Sequence, residues 1–95
     1  MTNITIASSV RESNRLRVTL SLPAGHSLEG LTLRGRRLLV AFQSESDPET
    51  VLSQTLTLEA ALSPTESACF VKHENGQQQV VLMGPVQSPA TRKTA

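Results

Sequence analysis

The chain has 95 residues, with two phenylalanines, no tryptophan or tyrosine, and a net charge of +1. This length makes one domain, and its core must be built mainly from leucine and valine, which suits a thin two-sheet sandwich better than a pocketed enzyme. The near-neutral charge and the 2% of aromatic residues argue against nucleic-acid binding, which usually combines a basic excess with stacking rings.

The first half of the chain predicts strands from a period of two. Residues 1–10 are mildly apolar and form an N-terminal arm, either a short edge strand or a frayed segment. Apolar and polar side chains alternate from Arg15 to Leu22, and Pro23-Ala24-Gly25 ends that strand. The stretch from His26 to Glu29 is a short connector. From Gly30 to Phe42 the alternation is broken by Gly35-Arg36-Arg37, which predicts a β-hairpin.

The second half continues the pattern with a less regular alternation. The polar, acidic stretch from Gln43 to Thr50 contains a proline and predicts a loop. Further strands are expected at 52–58, at 67–72 and, after the Asn75-Gly76 turn, at 77–83; the last is apolar on both faces, which suggests a strand covered on both sides. Residues 59–62 suit one helical turn, and residues 86–95 form a small, polar, flexible tail.

These segments amount to about seven short strands without a long helix. Their spacing predicts an all-β fold, an immunoglobulin-like antiparallel β-sandwich. We expect the sandwich to span residues 11–85, between the N-terminal arm (1–10) and the C-terminal tail (86–95).

Residues that carry chemistry are few and scattered. The lone Cys69 excludes a disulfide within the chain and favours a reducing compartment. His26 and His73 lie in or beside turns with no motif around them, and Leu33-Arg34-Gly35-Arg36 lacks the features of a phosphate loop. We therefore expect no catalytic residue, no metal and no cofactor.

The sequence also lacks targeting and membrane signals. Residues 1–10 have neither the basic start nor the apolar core of a signal peptide, and no apolar run approaches the ~20 residues of a membrane span. We expect a cytoplasmic protein without a membrane or nucleic-acid partner.

Charge is unevenly distributed along the chain. Six arginines stand against Glu12 and Glu29 between residues 11 and 37, whereas six acids stand against Lys72 between residues 45 and 74. Such an asymmetry suits head-to-tail association or a charged partner, or it reflects only the exposed faces of strands.

Four segments in order resemble the α-crystallin domain of the small heat shock (Hsp20) proteins, over roughly Arg11 to Pro85. The segment 15–25 resembles the family's alternating strand that ends in Leu-Pro-Gly, and Leu31-Thr-Leu33 with Leu38-Leu-Val40 resembles its following hairpin. The segment 52–58 resembles its F-x-R-x-F-x-L strand. Glu74-Asn75-Gly76 with Val80-Val-Leu82 resembles its closing A-x-x-x-N-G-V-L-x-V-x-L signature. The related p23/CS modules use the same sandwich.

Several family features are absent from this sequence. Gly-Val-Leu of the signature is Gly76-Gln77-Gln78, and Gln54 replaces the arginine of the F-x-R-x-F strand. The long loop that swaps into a partner, the Ile/Val-x-Ile/Val tail motif and the long N-terminal arm are also missing. We therefore expect a monomer or a simple edge-paired dimer.

The resemblance implies a chaperone that holds apolar segments of unfolded proteins without ATP. In the family these segments dock in a groove between two strands, here those carrying Leu31 and Leu33 and those carrying Val80 and Leu82. Alternation alone does not distinguish a binding groove from the core of the sandwich, so these four residues are also compatible with an ordinary place in the core. The alternative function is a p23/CS-like adaptor that binds one specific protein and has no general chaperone activity.

Overall fold

Strands account for most of the part of the chain that the structure describes, residues 3–87 of a computed structural model. Seven strands follow one another along the chain: β1 (Thr5–Glu12), β2 (Arg15–Ser21), β3 (His26–Arg34), β4 (Arg37–Ser44), β5 (Asp47–Thr57), β6 (Ala68–Glu74) and β7 (Gln77–Pro85). The described residues include no helix, and in particular none long and apolar enough to cross a membrane.

The strands form two antiparallel sheets. The four-stranded sheet has the order β1-β2-β7-β6, and the three-stranded sheet has the order β3-β4-β5. Every neighbouring pair is antiparallel. The prediction of an all-β antiparallel sandwich of about seven strands is confirmed.

The core lies between the sheets and follows the period-two pattern of the sequence. Alternate residues of β2 and β4 point inward and are almost wholly buried, whereas their neighbours are more exposed. Phe42, at 1% exposure, is the largest buried side chain. The other fully buried side chains are all leucine or valine: Leu16, Val18, Leu20, Leu22, Leu38, Leu58, Leu62, Val40 and Val80.

Two-residue turns join the strands of all four hairpins in the described residues, and backbone angles explain the residues of three of these turns. Asn75 and Gly76 both have positive φ, 54° and 77°, as a type I′ turn requires at its two central positions. Gly35, the first of the two residues between β3 and β4, has a φ of 60°. Ser13, between β1 and β2, takes the same left-handed region at 54° without the freedom of a glycine.

One open alternative is resolved, and two segments differ from the sequence predictions. Residues 5–10 of the predicted arm belong to β1, the edge-strand alternative, which pairs with β2. The connector predicted at His26–Glu29 is the first part of β3. The predicted Gln43–Thr50 loop is wrong, because β4 runs to Ser44 and β5 begins at Asp47. That hairpin extends beyond the core, so its residues carry no apolar alternation for a sequence to show.

The segment between β5 and β6 does not form the helical turn predicted at residues 59–62; it bends at 59–60 and makes a turn at 64–66. Leu58 and Leu62 are buried in it, and the Leu58 amide donates to the Arg36 carbonyl at 2.7 Å. Leu62 forms a bridge with Val86. In the predicted 86–95 tail, Val86 and Gln87 are thus bound to the sandwich, and residues 88–95 lie outside the described residues.

Candidate functional site

The four residues predicted for the groove all contribute to the interior, but to different depths. Val80 and Leu82 of β7 are core residues, at 0% and 5% exposure. Leu31 and Leu33 of β3 are half-buried and pack against the cluster that contains Val80 and Leu82. The structure therefore brings the four together, with only the two leucines of β3 near the surface. Their role in binding a partner stays a prediction.

The unequal strand numbers of the two sheets leave one strand uncovered. A Gln78 side chain on β7 accepts a hydrogen bond from the Leu28 amide of β3 at 2.9 Å, so β3 lies over β7. At the opposite side the Gln54 side chain of β5 bonds the backbone of Ile4, just before β1. With three strands set over β1, β2 and β7 in this way, no strand of the described residues lies above the inner face of β6.

The inner face of β6 is correspondingly open to solvent. Cys69 and Val71 pair with Leu82 and Val80 of β7, so they point to the core side of the sheet. Nevertheless Cys69 is exposed and Val71 is 41% exposed. We call the surface formed by inner-facing Cys69 and Val71 of β6 and Leu28, Leu31 and Leu33 of β3 the edge slot.

Both strands that border the edge slot are the outer strands of their sheets. In the described chain β3 pairs only with β4, and β6 pairs only with β7. Each therefore has a side along which backbone N–H and C=O groups lack a strand partner. An apolar surface between two such edges is suited to an extended segment, which can pair with an edge while alternate side chains point into the slot.

A polar bridge crosses the edge slot near one end. The Gln78 side chain accepts from the Leu28 amide at 2.9 Å, and its Nε2 lies 3.4 Å from the His73 Nε2. Next to it, Gln77 Nε2 donates to the Leu22 carbonyl at 2.9 Å. Gln77 and Gln78 are the residues that replace an apolar step of the resembled signature. Here Gln78 links β7 to β3 of the other sheet, and Gln77 links β7 to the end of β2 in its own sheet.

The opposite side of the sandwich is closed by side-chain hydrogen bonds. The Gln54 amide accepts from the Ile4 N–H at 2.9 Å and donates to the Ile4 carbonyl at 3.0 Å, as a neighbouring strand would do. Ser9 donates its hydroxyl to the Glu59 carboxylate at 2.7 Å. The two sheets are thus joined between β1 and β5, and the open space lies between β3 and β6.

Cys69 is the one residue of the edge slot with a shifted ionisation. Although its surface is exposed, neighbouring atoms desolvate the thiol and raise its pKa above the ordinary value. A raised pKa keeps the thiol protonated near neutral pH and lowers its nucleophilicity. The structure thus places Cys69, exposed, at an edge of the apolar slot.

The histidines belong to separate surroundings. His26 Nδ1 lies 3.0 Å from the Ala24 carbonyl, and its ring stacks obliquely on Phe42 with centroids 5.8 Å apart. His73 lies on β6, beside Gln78. Within residues 3–87, no three His, Cys, Asp or Glu side chains come together as a metal site would require.

The sequence pattern missed the part of the slot that comes from β6. Cys69 and Val71 alternate with Phe70 and Lys72, but both faces of this strand are exposed, so the alternation carried no signal of which side faces the core. Two inward-facing glutamines, Gln54 and Gln78, were the sequence signal for the border of the core. A polar side chain at a core-facing position needs a hydrogen-bond partner, and both glutamines find one in the backbone of the other sheet or beside it.

Comparison of the chain with protein-family models, with curated proteins and with solved structures finds no match.

Proposed function

We propose that this chain is a protein-binding domain, similar to a small heat shock protein domain, that holds extended apolar segments of other proteins in the edge slot. It would do so in the cytoplasm and without ATP. The single observation that carries the proposal is the uncovered inner face of β6, where Val71 is 41% exposed opposite the half-buried leucines of β3. An apolar surface flanked by unpaired strand edges is a known mode of peptide recognition.

The mechanism is passive and reversible. A segment in extended conformation forms backbone hydrogen bonds with one edge, each worth ~0.5–1.5 kcal/mol net. Its alternate apolar side chains cover Val71, Leu31 and Leu33, and each buried Å² contributes about 25 cal/mol. The bound segment is thereby kept from pairing with other exposed strands, which limits aggregation. No covalent bond is made or broken, so no nucleotide or cofactor is needed.

Val71 and Phe70 provide a matched test, because they are neighbours on one strand with opposite faces. Val71→Asp places a charge inside the edge slot, whereas Phe70→Asp places the same charge on the outer face, where Phe70 is 50% exposed. We expect Val71→Asp to weaken protection of a purified, heat-denatured client from aggregation by about tenfold, equivalent to ~1.4 kcal/mol. Light scattering of the client measures the effect.

Phe70→Asp is the control and should retain protection. Far-UV circular dichroism of both variants should match the parent, because both positions are solvent-exposed on an edge strand. Equal loss of client protection in the two variants, or unchanged protection with Val71→Asp, would contradict binding of the client in the edge slot. Leu33→Asp is a poorer test, since Leu33 also packs against the core.

The alternative proposal is an adaptor of the p23/CS type. The observation that favours it is the small size of the site, since β6 has seven residues and Gln78 already crosses the space between β3 and β6. A surface this short suits a single defined strand. An adaptor would co-purify with one stoichiometric protein, lose it with Val71→Asp, and leave unrelated denatured clients unprotected.

A further inference from the structure

The strand directions sort the charged residues of the described chain to two ends of the sandwich. One end carries the β1–β2 and β3–β4 turns and the connector to β6, and we call it the arginine end. The other carries the β2–β3, β4–β5 and β6–β7 turns, and we call it the acidic end.

The sorting is complete for the arginines of the described chain and partial for the acids. The half of the molecule at the arginine end holds six arginines against three glutamates, a net charge of +3, and the other half holds five acids against Lys72, a net charge of −4. The arginines are Arg11, Arg15, Arg17, Arg34, Arg36 and Arg37, and the acids of the other half are Glu29, Glu45, Asp47, Glu49 and Glu74.

The two charged ends cannot neutralise each other within one molecule. Strands of seven to eleven residues at ~3.3 Å per residue separate the ends by roughly 25–35 Å. This exceeds the Debye length of ~8 Å at physiological ionic strength. Each end therefore presents its own field to a second molecule.

The arginine end also has a concave surface. A cleft of about 400 Å³ lies between the β1–β2 turn, the β3–β4 turn and the connector. Arg11, Asn14 and Arg36 provide its polar lining, and Ala60, Ala61 and Val86 provide apolar surface. Arg36 donates Nε to the Leu58 carbonyl at 3.0 Å. This contact orients the guanidinium and uses one of its five N–H donors, and the others suit carboxylates.

The acidic end has a matching projection. The β4–β5 hairpin tip carries Glu45, Asp47 and Glu49, and all three are exposed. The Glu45 amide donates to the Gly25 carbonyl at 2.8 Å, which holds the tip to the β2–β3 turn. Thr50 donates its hydroxyl to Asp47 at 2.9 Å, a bond within the hairpin itself. We call Glu45, Asp47 and Glu49 the acidic tip.

We propose that the cleft at the arginine end binds the acidic tip of a second copy of this chain. Cleft and tip lie at opposite ends of the strands, so one copy reaches the next by moving along the strand direction. Such a head-to-tail contact does not close on itself and adds copies in an open row. The contact goes beyond the proposed function and uses a different surface from the edge slot.

Sedimentation velocity at low and high salt tests the contact. At about 10 mM salt, where the Debye length is ~30 Å, the parent protein should form concentration-dependent oligomers, and at about 1 M, where it is ~3 Å, it should be monomeric. A protein that is monomeric at low salt and high concentration, or oligomers that persist at about 1 M, would overturn the proposal.

Charge reversal at each surface makes the test specific. The cleft variant is Arg11→Glu with Arg36→Glu, and the tip variant is Glu45→Lys with Glu49→Lys, which spares the Asp47–Thr50 hydrogen bond. Each variant alone should stay monomeric at low salt, because its cleft and its tip then carry charge of the same sign. An equimolar mixture should associate again, since every reversed end then meets an opposite one.

The control has the same change of net charge as the cleft variant but leaves both surfaces intact. Arg17→Glu with Lys72→Glu alters only the outer face of the four-stranded sheet, and its oligomers should persist. Because Arg36 also supports the connector, the tip variant is decisive if the cleft variant fails to fold. A tip variant that self-associates like the parent would overturn the proposed contact. A parent protein that stays monomeric but binds polyglutamate would also overturn it, and would assign the cleft to another acidic partner.

Discussion

Glycine positions in this sandwich divide into those that need glycine and those that tolerate a side chain. At Gly84 on β7, a methyl group would lie 2.8 Å from the Ser67 Cα, which is backbone that cannot move aside freely. Ser67 is itself held by a hydrogen bond from its hydroxyl to the Ser63 carbonyl, at 2.6 Å. Gly84 thus permits the connector to cross closely over the end of β7.

We expect Gly84→Ala to lower the free energy of unfolding by ~1–3 kcal/mol, the usual cost of overpacking. Gly30→Ala is the matched control. Gly30 also lies in a strand, but nothing stands within 4 Å of the added methyl group, so the change should be neutral or stabilise by up to ~1 kcal/mol. Urea denaturation of the two variants measures both effects, and equal values would contradict the close crossing.

Gln54 shows how one polar side chain can define the edge of an element. Its amide exchanges two hydrogen bonds with the Ile4 backbone, at 2.9 and 3.0 Å, and Ile4 is 2% exposed. Ile4 precedes β1, whose eight residues are all exposed and bury little apolar surface of their own. The start of β1 therefore depends on this one side chain of β5.

Gln54→Leu keeps the approximate size of the side chain and removes both hydrogen bonds. With each bond worth ~0.5–1.5 kcal/mol net, the variant should lose about 1–3 kcal/mol of stability, and the loss should be local. Hydrogen exchange at the amides of Ile4 and Ile6 should accelerate, while exchange at Val18 and Leu20 in β2 follows only the global change. Uniform acceleration throughout the sheet would show that Gln54 has no special link to β1.

The sequence predicted the elements that have one buried and one exposed face. β2 and β4 alternate clearly because Leu16, Val18 and their counterparts pack in the core. β1 and the tip of the β4–β5 hairpin lie beyond the core, so neither face selects apolar residues there and the alternation is lost. The β6–β7 turn could still be predicted, because Asn75 and Gly76 readily adopt the positive φ angles that a two-residue hairpin turn requires.

At the scale of the whole molecule, the candidate site depends on how the two sheets overlap. Alternation assigns Leu31 and Val80 to inner faces but says nothing about which strand of one sheet covers which strand of the other. Within residues 3–87, four strands lie opposite three and β6 has no strand over it, a result that depends on pairing between distant parts of the sequence. From the sequence, therefore, only the β3 residues of the edge slot could be predicted, and its β6 residues could not.

Cys69 allows the slot to be observed directly, because it is the sole cysteine and lies on the inner face of β6. Its raised pKa reduces the thiolate fraction at neutral pH, so alkylation by iodoacetamide should be slower than for a free cysteine. The pH at which the rate is half-maximal should lie above the ordinary pKa of 9.0. A half-maximal rate at or below that pH would show that the thiol is not desolvated.

The same measurement separates the edge slot from the charged ends. An extended apolar peptide should protect Cys69 from alkylation, because a segment in the slot covers the inner face of β6. Lowering the salt to favour contact between the two ends should leave the rate unchanged, since the cleft and the acidic tip do not include β6. If low salt alone slowed the alkylation of Cys69, and the tip variant removed this effect, the second copy would be covering the edge slot. The edge slot and the charged ends would then act as one binding surface.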